Sequence, residues 1–279
     1  NIPGIADRLR GFRVDDSIGP VLLTRTDDSV DASGFGFNRH WRTARSVTFP
    51  VTVSYRTIVP LGRLRAGPPF DLRTFAGGVS GGGAGFLALP QDARQYRVHI
   101  RWDLRALQRG AVGISSLGDG DADATMALAD LQSSWFMAGP VGQYPKGGNS
   151  EGFSAAWLGS SPGLDLRADM AWAARAYKSL STFFGDTAQH PYRFFLRILP
   201  ESTTSGGTAG NRSFMLQVPV RQRDTASVGD GGLRSIVAHE MIHGWAGTFQ
   251  GAGPWASEGL ATYFAANLQR RLGLQPIKA

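Results

Sequence analysis

The sequence predicts an α+β protein: a β-rich, sandwich-like part over residues 1–162, then an α/β lobe over 163–279. Three observations carry the prediction. Residues 1–60 read as short strands between turns, with Val51, Val53 and Tyr55 alternating against Thr52, Ser54 and Arg56. Sustained helical spacing appears after residue 163, where Leu166, Met170, Ala173, Ala174, Tyr177 and Leu180 share one face. Between the two regions stands Ser161-Pro162-Gly163, a turn-forming boundary.

In chain order, Asp27-Asp28-Ser29 and Asp31-Ala32-Ser33-Gly34 mark the first turns. The glycine-rich run from Gly77 to Gly85 lacks the Lys-Ser/Thr ending and following helix of a phosphate cradle. It reads as a flexible loop or hairpin tip. Phe86–Leu89 and Val98–Leu104 are further strand candidates. Asp119-Gly120-Asp121-Ala122-Asp123 opens like a calcium loop, yet Ala124 stands where glycine is required and Asp130 where Glu closes the loop. A solvated acidic turn before a short helix over Ala124–Gln132 is the better reading. Trp135, Phe136 and Met137 read as core filler, and Gly139–Gly152 as loop. Then come a helix over Asp165–Phe184 and strands at Tyr192–Leu199 and Phe214–Val220, parted by the polar loop Glu201–Asn211. No internal repeat is visible.

A hydrophobic content of 42% and a charged content of 18% describe a globular chain. No run of 18 apolar residues exists, so no membrane span is expected. Zero cysteines exclude disulfides and thiolate metal sites. The net charge of +7 comes from 26 Arg and 3 Lys against 22 acids. These basics are spread along the chain without a cluster or a nucleic-acid-binding motif, so no nucleic-acid partner is expected. The first residue is Asn1, with no apolar leader, which fits a removed targeting peptide or a trimmed chain. The preference is for an exported bacterial protein.

The chemistry concentrates in Gly232–Gly273. His239-Glu240-Met241-Ile242-His243 is H-E-x-x-H, which sets two imidazoles about 40° apart on one helical face with a carboxylate at the flank. With four Glu and five His in the chain, chance produces this pattern on the order of once in a thousand such chains. Two neutral imidazoles so placed bind zinc, and Glu240 can take a proton from a water on that ion. A catalytic zinc takes a third protein ligand. After the turn-forming segment Gly247–Pro254, Ser257 can cap a second helix carrying Leu260, Phe264 and Leu268 and ending at Gly273. That helix can bring Glu258 back onto the metal, with Thr262 one turn further on as support for a ligand.

His239-Glu240-x-x-His243 followed by Trp255-x-x-Glu258-Gly259-Leu260 resembles the gluzincin clan of zinc peptidases. Within it the chain is most similar to the glycyl aminopeptidase family, where a Trp two residues past the second His (here Trp245) and a Glu-Gly-Leu sequence recur. The specific likeness covers about residues 190–266, and the earlier part matches only as a β-rich leader. The resemblance implies a thermolysin-like lobe, zinc ligands His239, His243 and Glu258, and general base Glu240. It also implies that Gly207-Thr208-Ala209-Gly210-Asn211 lies along the substrate backbone. There Gly210 stands where relatives place a Glu that holds the free amine, and Glu201 is the candidate substitute. An ordinary glycine-rich hairpin fits these five residues equally well.

Relatives continue into a helical subdomain that closes the cleft and supplies a Tyr or His for the oxyanion. Here Ala279 follows soon after Glu258, so the lobe reads as truncated, completed by a missing C-terminal subdomain or a partner chain. The stand-ins are Tyr263, Tyr192 and His190, with Tyr263 read first as a core aromatic. The leading expectation is a zinc-dependent peptidase acting on a peptide or protein, an aminopeptidase by resemblance but without the Glu that strict aminopeptidase specificity needs. Against it stand a non-catalytic zinc-containing peptide-binding or scaffold module, and a zinc hydrolase of esters or epoxides.

Overall fold

The computed structural model describes residues 5–29, 38–59, 70–147, 152–186, 191–200, 202, 205–210, 212–220, 232–246 and 254–271. The chain is α+β, β-rich in its first half. It opens with β1 (Leu9–Asp16), β2 (Gly19–Val21), β3 (Leu23–Asp27), β4 (Arg39–Thr43) and β5 (Thr52–Thr57). β6 (Arg73–Phe75), β7 (Gly78–Gly82), β8 (Gln95–Ile100), β9 (Val112–Ser115), β10 (Gly118–Asp119) and β11 (Ala122–Ala127) follow, then α1 (Leu128–Gln132) and β12 (Trp135–Gly139). The second half holds β13 (Gly142–Tyr144), β14 (Phe153–Leu158), α2 (Leu166–Phe183), β15 (Tyr192–Leu199), β16 (Gly206–Gly210), β17 (Ser213–Pro219), α3 (Leu233–Ala246) and α4 (Pro254–Arg271).

Two five-stranded sheets organise these elements. One runs β10-β9-β12-β7-β6 and is antiparallel. The other runs β13-β14-β15-β17-β16, with β14, β15 and β17 parallel and both edges antiparallel. Strand alternation sorts its residues into two cores. Phe194, Leu196 and Ile198 of β15, with Phe214, Leu216 and Val218 of β17, pack against α2, α3 and α4. Phe195 and Met215 point the other way, onto Ile114, Trp135 and Met137 of the first sheet. A third cluster joins that sheet to α1 and the β8–β11 ribbon through Leu128, Leu131 and Phe136.

Several elements differ from expectation, each for a packing reason. The glycine run forms β7, a buried internal strand, with a 3-10 turn over Gly83–Gly85; only Ala76-Gly77 is a hairpin tip. Glycine is needed there because neighbours touch the backbone: a Cβ on Gly78 would lie 2.5 Å from the Ala138 carbonyl. Phe86–Leu89 is irregular, although Phe86, Leu87 and Leu89 pack on the third cluster. Residues 122–127 extend as β11 paired to β8, which leaves the short helix only Leu128–Gln132. The Gly139–Gly152 stretch contains β13, and β14 forms where the sequence pattern marks no strand. β14 pairs in parallel with β15, so a cut at residue 162 passes between two partner strands of one sheet.

The polar loop before β17 contains β16, which forms a hairpin with β17 and occupies the sheet edge. On β15, Arg193 and Arg197 are buried towards the first sheet. Arg197 donates to Ser80 Oγ at 2.8 Å, the Ser80 carbonyl at 2.9 Å and the Asp71 carbonyl at 2.6 Å, and it pairs with Asp71 Oδ1 at 3.3 Å. Burial lowers its pKa to about 10, with Asp71 opposing the shift, so it stays charged at neutral pH. Among the described residues no helix is long and apolar enough to cross a membrane.

Candidate metal centre

α3 carries the H-E-x-x-H residues because its other faces are apolar. Leu233, Val237, Ala238, Met241 and Ile242 are buried in the helix-side core, which turns His239 and His243 outward towards α4. α4 crosses α3 and returns Glu258 to the same point. His239 Nε2 lies 3.2 Å from Glu258 Oε2, His243 Nε2 lies 3.2 Å from His239 Nε2, and His243 Nε2 lies 3.5 Å from Glu258 Oε1. The imidazole planes stand at 82°.

These separations test the fit to an ion. Tetrahedral bonds of about 2.0–2.2 Å place ligand atoms roughly 3.3–3.6 Å apart. The three donors therefore already stand at the edges of such a site, and His239, His243 and Glu258 form a group that could hold a metal. His243 suits the role: burial lowers its pKa more than Glu258 raises it, which favours the neutral imidazole that coordinates.

Were Nε2 of each ring to hold a metal, Nδ1 would carry the proton and need an acceptor. Thr262 Oγ1 faces His239 Nδ1 at 3.5 Å, and Ser257 Oγ faces His243 Nδ1 at 3.3 Å. Ser257 was expected as a helix cap. α4 instead starts at Pro254, which puts Ser257 inside the helix beside Glu258 and frees its hydroxyl for the ring. Adjacency to a candidate ligand was the only sequence signal for this contact.

Glu240 lies on the flank of α3 facing β16, 8% exposed. Burial first, and the charge of Glu258 second, push its carboxyl up to about 7. Gly207 of β16 sits directly against it. Gly207, Thr208, Ala209 and Gly210 all lie on this edge strand, and Thr208 Oγ1 donates to the Gly207 carbonyl. Asn211, Glu201 and His190 lie outside the described residues.

Tyr263 is not brought to the three donors. It lies five residues past Glu258, about 140° round α4, is 57% exposed, and meets Phe264 edge-on. It is no core aromatic either. Tyr192 is buried beneath the site, stacked on Tyr177 at 4.9 Å; burial, then Glu240, raise its pKa. The acidic turn after β9 holds no cation cluster among the described residues. Asp119 pairs with Arg193, Asp121 accepts from the Trp102 N–H, and Asp123 pairs with His99 and Arg101.

The fold and centre together define a class: a β-rich leader, then a mixed sheet covered by helices, two of which converge a His-His-Glu group. The fold is similar to that of an aminopeptidase N family protein from Idiomarina loihiensis, with a TM-score of 0.71 and 17% identity, covering 98% of this chain and 49% of that one. It is also similar to yeast LTA4 hydrolase in complex with bestatin, with a TM-score of 0.52 and 12% identity, covering 95% of this chain and 42% of that one. The chain thus spans about half the length of the structures it matches. At these identities the likeness is one of fold. No protein-family model and no curated protein matches the sequence.

Proposed function

We propose that the chain is the metal-binding part of a zinc-dependent peptidase, with His239, His243 and Glu258 as ligands and Glu240 as general base. The observation that carries this reading is the convergence of three donor atoms at 3.2–3.5 Å from two helices, with a buried carboxyl beside them. Zinc, when bound, polarises a scissile carbonyl and acidifies an attacking water. The protein's own residues do the rest. Glu240 takes the water's proton at a carboxylate oxygen and delivers it to the leaving amine nitrogen. Ser257 and Thr262 accept the Nδ1 protons and so hold both rings with Nε2 inward.

The substrate is proposed to be an extended peptide lying along β16. No strand among the described residues pairs with the outer side of β16. An edge strand so placed offers the ladder that β-augmentation uses. The functional unit, on this reading, starts at β13 and not at residue 163.

The test is metal content together with hydrolysis of a peptide panel by the wild-type chain and by Glu240→Gln. One zinc per chain and cleavage abolished by Glu240→Gln is the expected result; undiminished cleavage by that variant with zinc retained overturns the mechanism. A second reading, a peptide-binding module with a non-catalytic zinc, is favoured by the openness of the site. Glu258 has its side chain 60% exposed, and Trp255 on the same helix is 76% exposed. Tight zinc and peptide binding without cleavage decides for it.

A further inference from the structure

We infer that Gly207 is a positioning residue for Glu240: the bare backbone at this point of β16 sets where the carboxyl group of the metal helix rests. This deepens the peptidase reading and rests on it for the catalytic consequence, though not for the contact.

An ideal Cβ at Gly207 would lie 2.5 Å from Glu240 Oε1, 2.6 Å from Cδ and 2.9 Å from Cγ. All three nearest atoms belong to one side chain. The backbone does not itself demand glycine here, because the φ of Gly207 lies outside the left-handed region. The nearest demand comes from Glu240. Neither partner element can easily retreat. β16 is registered to β17 through five consecutive pairs, and α3 is anchored by Val237, Ala238, Met241 and Ile242, each at most 2% exposed.

Gly210, on the same strand, makes the contrast. A Cβ there would lie 2.6 Å from the Ser133 carbonyl and 2.9 Å from Trp135 Nε1, a backbone atom and a fully buried ring. A methyl at 210 must therefore strain the fold. A methyl at 207 meets first the flexible side chain of Glu240, so the fold survives and the carboxyl moves. Displacing a catalytic group by about 1 Å costs on the order of a hundredfold in rate.

The experiment compares Gly207→Ala, Glu240→Ala and the double variant by thermal melting of the metal-free chains, and Gly207→Ala with wild type by zinc content and kinetics on a peptide the wild type cleaves. In the melts, Gly207→Ala lowers Tm when Glu240 is present and does not when residue 240 is alanine. In the kinetics, Gly207→Ala keeps one zinc per chain and loses about a hundredfold in kcat. Equal Tm shifts in both backgrounds, or a kcat within twofold of wild type, overturn the inference. A wild type that cleaves nothing removes the peptidase reading while the melting cycle still decides the contact.

Discussion

On the proposed reading His239, His243 and Glu258 act through their atoms' spacing, and the effect of replacing them is separable from that of replacing Glu240. Alanine at any of the three leaves two donors, too few for the closed side of a tetrahedral site. Each such variant is expected to lose bound zinc in a competition with a chelator. Glu240→Gln keeps size and leaves all three donors in place, so zinc remains bound while hydrolysis falls by at least about a hundredfold, the scale of lost general-base catalysis. Ser257→Ala leaves the Nδ1 proton of His243 without its hydroxyl partner, and zinc affinity is expected to fall about tenfold.

Two helical glycines are open to improvement at the scale of the element. Gly244 in α3 has no atom nearer than 3.7 Å to an added Cβ, and Gly259 in α4 has none within 4 Å. Alanine at either removes the excess backbone freedom of glycine, worth about 0.5–1 kcal/mol. The expected outcome is a Tm rise of about 1–4 °C, with zinc content unchanged; a fall would show that one of these positions needs bare backbone. α4 repays attention as a unit, since it delivers Glu258, Ser257 and Thr262 together. Its apolar residues, Leu260, Ala261, Phe264 and Ala265, pack on the helix-side core. That packing fixes the helix's rotation and hence the direction of Glu258.

Across the molecule, charge ties the layers together. Arg197 joins the mixed sheet to the first sheet through Asp71 and Ser80. Arg197→Met leaves the Asp71 carboxylate to Arg73 alone and the buried Asp71 and Ser80 carbonyls without their guanidinium donor, a loss of about 3 kcal/mol. Tm is expected to fall on the order of 10 °C, as measured by calorimetry. At the end of β1, Asp16 is held well below the ordinary carboxylate range, chiefly by Arg45 and then by the Thr48 N–H. Asp27 is lowered by Arg39, and Asp123 by His99. Folded pKa values below the unfolded ones mean that this stability is present above about pH 4 and is lost as pH falls through the folded values. Tm measured from pH 7 down to pH 2 should decline below pH 4, and Asp16→Asn should flatten that decline.

The sequence by itself determined the H-E-x-x-H pattern and the helix that carries it. H-E-x-x-H is a local pattern, since residues four apart on one helix meet whatever surrounds them. Helix α2, β15 and β17 were legible for the same reason: their apolar periods are properties of short windows. Only the tertiary structure decided the rest. The glycines of β7 look like a loop because nothing in the window shows Ala138 and Trp135 pressing on their backbone. β14 precedes its partner β15 by a whole helix, and Arg193 and Arg197 reveal their burial only when a second sheet covers them. The role of Gly207 likewise depends on Glu240, more than thirty residues away in sequence. Long-range packing brings such pairs together, and it leaves no period in the sequence for a local reading to find.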